Sequence, residues 1–263
     1  MTELELQHVT IRHEGDVGYL VMDRPETNNA LDLTMARELH QAALELSDDD
    51  SRCLVLTGTG GTFCTGADLT ALSGDSGDHP TIKRLANYLH ETVSTLARAP
   101  KPVVCGVNGV TAGGGIGPSL CGDIVIASES ARFEFAYPRI GLSADGGSSY
   151  FLPRLVGLRT AQEIAFRDEP VSSQEAADLG LVTETVSDDG FDDAVREEAE
   201  RLAAGPTRAY GETRALLRGS FDRSLDGQLA AEAERIARLT HTDDYRKGIE
   251  AFLSKEQADF EGE

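Results

Sequence analysis

The sequence predicts an α/β core followed by a helical C-terminal region. Short apolar strand patterns alternate with helical patterns until about residue 190, which is typical of strands and helices packed in layers. Beyond that point only helical patterns continue. The chain has 263 residues, of which 40% are hydrophobic, so it is long enough to bury a full core. We therefore divide it into a core, residues 1–195, and a helical region, residues 196–263.

The core begins with a predicted hairpin formed by two alternating runs, Val9–His13 and Val17–Met22. Apolar spacing over Leu31–Leu46 predicts an amphipathic helix, and Asp32 is placed to cap its N-terminus. Arg52–Thr57 predicts a compact strand. The elements predicted further along are the loop Gly74–Pro80, the helix Thr81–Arg98, and the strands Val103–Val107, Ile124–Ala127 and Phe133–Phe135.

The C-terminal region is predicted to be helical throughout. The predicted helices are Phe191–Ala204, Thr207–Arg218, Ser224–Leu239 and Asp243–Leu253. The third carries an apolar stripe that consists of Leu225, Leu229, Ala233 and Ile236. Because a helix projecting alone would leave this stripe in water, we expect it to pack against the core or another subunit.

The chain is strongly acidic, with 45 acidic and 24 basic side chains and a formal net charge of -21. This excess argues against coating nucleic acid, which needs a basic surface, and against docking on anionic lipid. We weigh two interpretations, a halophilic-type acidic surface suited to concentrated salt and an acidic docking face for a basic partner. The first residues carry no secretion signal, and no apolar run could span a membrane, so we expect a cytoplasmic protein.

The chemistry is expected in two glycine-containing loops, Thr62–Leu69 and Asn108–Gly117, which each follow an apolar strand. Ligands of α/β sheets bind beyond the carboxyl ends of strands. The second loop contains Gly113-Gly114-Gly115 and leads into a helix, where free backbone N–H groups favour an anion such as a phosphate or an oxyanion. A tight turn beneath a close-packed helix is the alternative. No His/Cys/carboxylate cluster has metal-ligand spacing, so we expect no metal.

Two motifs carry a family resemblance. Phe63-Cys64-Thr65-Gly66-Ala67-Asp68-Leu69 resembles the Phe-x-x-Gly-Ala-Asp-Leu signature of the crotonase (enoyl-CoA hydratase/isomerase) superfamily. Lys101-Pro102-Val103 through Gly115 is similar to its Lys-Pro-Val-x-x-x-x-x-Gly-x-x-x-Gly-Gly-Gly signature. Further segments that match in order are Arg24–Leu31, Cys121–Ile124, Gly141–Gly147, Leu152–Gly157 and Ala176–Val182.

The resemblance implies a crotonase-like spiral of ββα units and a C-terminal helical region that trimerises, giving a homotrimer or a dimer of trimers. It implies an acyl-CoA thioester as substrate and no cofactor beyond its coenzyme A moiety. The backbone N–H groups of Ala67 and Gly114 would form the oxyanion hole. The residues expected to contact coenzyme A are Arg24, Ala30, Thr65, Asp68, Leu69, Gly113, Phe252 and Lys255.

The resemblance also bears on the reaction. Hydratases of the family hold a water between two glutamates, but their positions are occupied here by Gly117 and Tyr137. The loop with Asp145 is similar to that of the family's enoyl-CoA isomerases, where the aspartate is the base. A single Asp145 could move a proton between two carbons. Alternatively, Asp145 only caps a helix that begins near Gly146.

Other reactions stay open. His90 has the same spacing as a histidine of the family's 4-chlorobenzoyl-CoA dehalogenase, so nucleophilic attack by Asp145 assisted by His90 is an alternative. Hydration with Asp145 or Glu134 is another, and a non-enzymatic interaction scaffold is a third. The aromatic residues that could line a site for a bulky acyl group are Phe133, Phe135 and Tyr137.

Overall fold

The computed structural model describes residues 5–263 and contains, within that range, ten strands and ten α-helices. The strands are β1 (Val9–Glu14), β2 (Val17–Met22), β3 (Cys53–Gly58), β4 (Thr62–Cys64), β5 (Val103–Val107), β6 (Val110–Ala112), β7 (Ile124–Ser128), β8 (Arg132–Glu134), β9 (Val171–Ser172) and β10 (Glu184–Val186). The helices are α1 (Leu33–Asp48), α2 (His79–Arg98), α3 (Ile116–Leu120), α4 (Ser148–Leu155), α5 (Gly157–Arg167), α6 (Ser173–Leu179), α7 (Phe191–Ala203), α8 (Thr207–Gly219), α9 (Leu225–Leu239) and α10 (Asp243–Ser254). Across these described residues, no helix is both long enough and apolar enough to span a membrane.

The strands form two sheets that the chain enters alternately. The larger has the order β1-β2-β3-β5-β7-β10 and is parallel except for the β1–β2 hairpin. The smaller has the order β4-β6-β8-β9. Three consecutive strand pairs, β3–β4, β5–β6 and β7–β8, each place one strand in either sheet before the chain turns into a helix. This repeat is the predicted spiral of ββα units.

Apolar packing on both faces holds the larger sheet. β2, β3 and β5 are almost wholly buried, as expected for parallel strands covered on two sides. Helix α7 covers one face with Phe191, Val195 and Ala199, while α1 and α2 lie in the core cluster on the other. Asp32 caps α1 as predicted, since its side chain accepts a hydrogen bond from the Met35 N–H at 2.8 Å.

The structure corrects the sequence analysis in three places. The predicted loop Gly74–Pro80 contains a 3-10 turn over Ser76–Asp78, and α2 begins within it at His79. Asn108–Gly117 is not one continuous loop, because it contains β6 and a 3-10 turn over Gly113–Gly115 before α3 begins. Of the four strands in the smaller sheet, β8 alone was predicted, as Phe133–Phe135, because runs of two or three residues are too short to show a period. The hairpin and the four C-terminal helices are confirmed with ends shifted by a residue or two. The division after residue 195 falls within α7 and stays a prediction.

The apolar stripe of α9 finds no cover within the described chain. Helix α9 contains no buried residue, and Leu225, Leu229 and Ile236 are 73%, 52% and 69% exposed. The prediction that this stripe packs on the core of the same chain is therefore wrong for a single copy. Packing against another subunit remains the open alternative.

Candidate active site

A cavity of about 600 Å³ lies where β4 and β6 end. These two strands are parallel neighbours, so the loops that follow them leave the smaller sheet at the same edge. The first loop contributes Thr65–Leu69 and the second Gly113 and Gly114. The apolar wall opposite them comes largely from the first half of α2 and the 137–145 segment, and it includes Ile82, Leu85, Leu89, Ile140 and Leu142.

The two loops touch at Gly66. Its φ of +81° is in the region that favours glycine, and a Cβ there would lie 2.8 Å from the Gly114 nitrogen. Any side chain at residue 66 would therefore push the loops apart. This close approach fixes the distance between the main chain at Ala67 and at Gly114.

Both predicted oxyanion donors face the cavity without an internal partner. Ala67 sits in a parallel bridge with Leu31, in which Leu31 donates to the Gly66 carbonyl and Asp68 donates to the Leu31 carbonyl. Alternation along the bridge turns the Ala67 N–H away from Leu31. Gly114 lies within the first turn of a 3-10 helix, where N–H groups have no intrahelical acceptor. Across residues 5–263 neither N–H group donates a hydrogen bond.

Asp145 lies beside this pair of donors. Its Oδ1 would be 3.5 Å from a Cβ built on Gly114, and it accepts a hydrogen bond of 2.6 Å from the Tyr137 hydroxyl. The alternative that Asp145 caps a helix with its side chain is wrong. Helix α4 has Gly147 as its N-cap and no side-chain cap, and it is the Asp145 carbonyl that accepts from Ser148 N–H and Oγ.

The segment after Asp145 fills the space that a side chain at residue 117 would need. A Cβ on Gly117 would stand 1.6 Å from the Gly146 carbonyl oxygen and 2.4 Å from its carbon. Real contacts of this kind do not occur below about 3 Å. Residue 117, the position of the first hydratase glutamate, therefore lacks a carboxylate, and the main chain of Gly146 leaves no room for a side chain there.

Tyr137 occupies the position of the second hydratase glutamate and is only 6% exposed. Burial, together with the negative charge of Asp145, raises the pKa of its phenol well above the usual value. The hydroxyl therefore keeps its proton and acts as a donor to Asp145. Phe135 packs edge-on against the Tyr137 ring, with centroids 5.0 Å apart, and holds it in place.

The predicted aromatic wall is only partly correct. Tyr137 lines the cavity, whereas Phe133 and Phe135 belong to the hydrophobic core and do not. Glu134 is also absent from the lining. Hydrogen bonds from Arg132 and Arg139 hold the pKa of the Glu134 carboxyl below its usual range, so it is a poor base for hydration.

His90 contacts the Asp145 segment through the main chain. Its Nε2 accepts a hydrogen bond of 3.1 Å from the Gly146 N–H, so in this arrangement Nε2 carries no proton. The ring therefore supports the turn after Asp145, and within the described residues it makes no hydrogen bond to the carboxylate. The sequence analysis offered assistance of Asp145 by His90 as an alternative, and in the structure the two residues are linked through the Gly146 N–H.

The residues expected to contact coenzyme A fall into two groups. Thr65, Asp68, Leu69 and Gly113 line the cavity. Arg24 lies behind them, 14% exposed, and its Nη1 donates to the Ala30 carbonyl and to Asp68 Oδ2, both at 2.9 Å. Phe252 is 81% exposed and Lys255 ends α10; neither lines the cavity of its own chain. Their roles stay predictions.

The sequence analysis missed the apolar wall supplied by α2. The signal was present, since Ile82, Leu85 and Leu89 recur at helical spacing and stand on one face. It also missed the hydrogen bond between Tyr137 and Asp145, which no local sequence pattern predicts. All four cysteines are free and buried, and the described residues hold no group of three His, Cys, Asp or Glu side chains placed to bind a metal.

Comparison with known proteins identifies the family. A model of the enoyl-CoA hydratase/isomerase family matches residues 12–263, nearly the whole chain. The chain belongs to this family. The solved enoyl-CoA hydratase/isomerase of Cupriavidus metallidurans superposes with a TM-score of 0.90 at 34% identity, covering 99% of this chain and 98% of that one.

Similar curated proteins carry out different reactions. A "Probable enoyl-CoA hydratase" of Rhodobacter capsulatus is 37% identical over 98% of this chain and its own full length. The 1,2-epoxyphenylacetyl-CoA isomerase of Escherichia coli is 36% identical over the full length of both chains. A 4-chlorobenzoyl coenzyme A dehalogenase of an Arthrobacter species is 31% identical over 95% of this chain and 91% of its own. The protein is an enzyme of this family that acts on acyl-CoA, and its particular reaction has to be argued from the site.

Proposed function

We propose that the protein is an enoyl-CoA isomerase that shifts a double bond through a thioester enolate, with Asp145 as the base. One observation carries the proposal. The two positions at which hydratases hold glutamates both serve to place Asp145 here, since Gly117 makes room for the Gly146 carbonyl and Tyr137 donates to the carboxylate. A site arranged around one carboxylate suits a proton shuttle better than the paired acid and base of hydration.

The other acids of the cavity already have partners. Hydrogen bonds from Thr70 and Arg24 hold the pKa of Asp68 below its usual range, and Asp32 caps α1. Asp145 alone among the lining carboxylates of the described chain has no cationic partner within 4.0 Å. It is therefore the carboxylate that is available to take a proton.

The proposed reaction starts from a 3-enoyl thioester. The Asp145 carboxylate takes a proton from C2, and the electron pair moves onto the thioester oxygen as a dienolate. The N–H groups of Ala67 and Gly114 stabilise that oxygen, each by about 3–4 kcal/mol of barrier lowering. The same carboxylic acid then returns the proton to C4, leaving a double bond between C2 and C3 and a free Asp145 carboxylate. No cofactor beyond the coenzyme A moiety of the substrate takes part in this scheme.

Replacing the carboxylate tests the proposal. Asp145→Asn keeps the shape of the side chain but cannot accept the proton, so we expect isomerisation of a 3-enoyl-CoA to fall by about 100- to 10,000-fold. Thioester affinity, measured by calorimetry, should change little. Asp178→Asn, which removes an exposed carboxylate on α6, is the matched control and should turn over normally. The proposal would be overturned if Asp145→Asn isomerised the substrate at the wild-type rate. It would also be overturned if the wild-type protein hydrated crotonyl-CoA faster than it isomerised a 3-enoyl-CoA.

A second candidate rests on the contact between His90 and the Asp145 segment. Attack of Asp145 on the halogen-bearing ring carbon of an aryl-CoA would form an aryl ester and release halide, and water would then cleave that ester. A mass increase on the peptide that contains Asp145 during turnover distinguishes this route from isomerisation, which leaves no covalent adduct. If no CoA thioester binds at all, the result favours the alternative that the protein is a non-enzymatic interaction scaffold.

We further propose that copies of the chain assemble through the C-terminal helices, as a homotrimer or a dimer of trimers. The exposed Leu225, Leu229 and Ile236 support this, because an apolar stripe of this size is unfavourable in water. Assembly could bring Phe252 and Lys255 of one copy to the cavity of another. Light scattering should give a multiple of three times the chain mass of 28.1 kDa, and Leu229→Glu should lower it.

A further inference from the structure

A second cavity, of about 680 Å³, lies at the opposite end of α2, where that helix meets α8 and α9. It shares no lining residue with the first cavity, and about 12 Å of helix axis separates Leu89 in the first from Ala97 in the second. We refer to it as the arginine cavity. Its seven lining arginines are Arg98, Arg208, Arg214, Arg218, Arg223, Arg235 and Arg238.

The positive charge of this cavity exceeds the negative charge that faces it. Among the lining residues that the structure describes, Glu212 is the one acid, and it is shared by Arg235 and Arg238. Asp123, outside the lining, pairs with Arg214 at 2.6 Å and with Arg218 at 3.4 Å. Two carboxylates therefore serve four guanidinium groups.

The remaining three arginines have no carboxylate within 4.0 Å among residues 5–263. Arg223 donates to the neutral amide of Gln228 at 3.0 Å, while Arg98 and Arg208 make no side-chain hydrogen bond there. All three are exposed and can turn toward a ligand. A negatively charged ligand would therefore gain the most binding free energy from these three arginines.

This concentration of cations is unfavourable by itself. Like charges in a concave site repel one another, and the field they produce is focused there. Arg208 also lies in the first turn of α8, and that turn contains no acidic residue, so the charge of Arg208 adds to the positive end of the helix dipole. In a chain of net charge -21, such an arrangement points to an anion that compensates it.

We propose that the arginine cavity binds a small molecule that carries two or more phosphate groups. Guanidinium groups match phosphate oxygens with paired hydrogen bonds, and three unpaired arginines call for more than one negative charge. The volume lies within the range of about 300–1,000 Å³ that is usual for small-molecule sites. The site is separate from the thioester cavity, so it does not depend on which reaction occurs there.

Inorganic pyrophosphate is the probe, titrated into the wild-type protein at low salt and followed by calorimetry. We expect saturable binding with one site per chain, weakened at least about tenfold in Arg98→Gln/Arg208→Gln, where two charge-assisted contacts are lost. The control is Arg159→Gln/Arg167→Gln, which removes two exposed charges from α5 outside the cavity and should bind as the wild type does. Arg98 lies in the last turn of α2, where its charge is favourable, and Arg208 lies in the first turn of α8, where its charge is unfavourable, so the two losses offset and the double variant should melt near the wild-type temperature.

Three results would overturn the proposal: no saturable binding to the wild type, equal weakening in the control, or a change in particle mass of the cavity variant with no pyrophosphate binding. The last would mean that acidic side chains of a second copy fill the cavity. ADP forms the second arm of the experiment. Tighter binding of ADP that is lost in the cavity variant identifies a phosphate ester as the ligand, whereas tighter binding of pyrophosphate identifies the free anion.

Discussion

The proposed catalytic cavity and the arginine cavity are suited to two kinds of negative charge. In the first, the proposed donors are the neutral N–H groups of Ala67 and Gly114, and among the described residues the one cation in the lining, Arg139, is paired with both Glu134 and Asp168. In the second, the proposed donors are guanidinium groups, three of which have no carboxylate within 4.0 Å among residues 5–263. Neutral dipoles fixed in place suit a charge that exists only during the reaction. Cations suit a charge that the ligand carries throughout.

If the first cavity binds the thioester as proposed, the substrate would enter it with little help from positive charge in the lining, because Arg139 is neutralised by its two partners. Apolar side chains such as Leu85, Leu89 and Leu142 would then contact the acyl group. The two cavities should therefore respond differently to substitutions and to salt, and each prediction below uses that difference.

The largest effect is expected for Gly117→Ala. The new methyl group would stand 1.6 Å from the Gly146 carbonyl, so the segment that holds Asp145 must move. A shift of about 1 Å at a reacting group costs about 100-fold in rate, and overpacking costs about 1–3 kcal/mol of stability. We expect isomerisation to fall at least about 100-fold, measured with a 3-enoyl-CoA, while pyrophosphate binding at the arginine cavity stays unchanged.

Gly227→Ala is the control for that substitution. Gly227 lies in helix α9, where alanine is favoured over glycine, and the nearest atom to its new Cβ would be Ser224 Oγ at 3.3 Å. It should retain full activity. If Gly117→Ala also retained full activity, the closure of residue 117 by Gly146 would have no bearing on catalysis.

Tyr137→Phe should have a smaller effect on the same cavity. It removes the 2.6 Å hydrogen bond to Asp145 but keeps the buried ring. A hydrogen bond to a charged group contributes about 1.5–3 kcal/mol, so we expect kcat to fall about 10- to 100-fold with KM within about twofold. Tyr150→Phe, which changes an exposed tyrosine of α4, is the control. A rise in KM with unchanged kcat would show that Tyr137 contacts substrate instead of positioning Asp145.

The two cavities also differ in how far the sequence predicted them. Ala67 and Gly114 stand in continuous motifs, and the structure brings both residues to the lining of one cavity, where their role as oxyanion donors stays a proposal. The contact between Tyr137 and Asp145 depends on left-handed turns at Ala136, Gly141 and Gly146, which no periodic pattern reveals. The arginine cavity brings Arg98 beside residues more than 100 positions later in the chain, so only the tertiary packing of α2 on α8 and α9 creates it.

Salt should act in opposite directions at the two cavities. Coenzyme A thioesters are polyanions, and a chain of net charge -21 repels them at long range in dilute buffer. Raising the salt concentration screens this repulsion, so KM for the thioester should fall at first. Pyrophosphate binds to cations at short range, so its Kd should rise over the same interval. Steady-state kinetics and calorimetry in one salt series test both signs, and a flat or rising KM contradicts the first.

The smallest effect is expected from breaking an ion pair of Arg139. These pairs neutralise the cation of the first cavity, whereas three arginines of the arginine cavity have no such partner among residues 5–263. Arg132 and Arg139 lower the pKa of Glu134 from its ordinary value of 4.5, so this carboxylate adds stability above that pH. We expect Glu134→Gln to lower the free energy of unfolding at pH 7 by about 0.5–1 kcal/mol, measured in urea. Because the folded-state pKa is depressed, the difference should shrink as the pH falls below 4.5 and vanish below the folded value. Glu163→Gln, at an exposed pair on α5, is the control. A difference that persisted at low pH would mean that packing of Glu134, and not its charge, holds Arg139 in place.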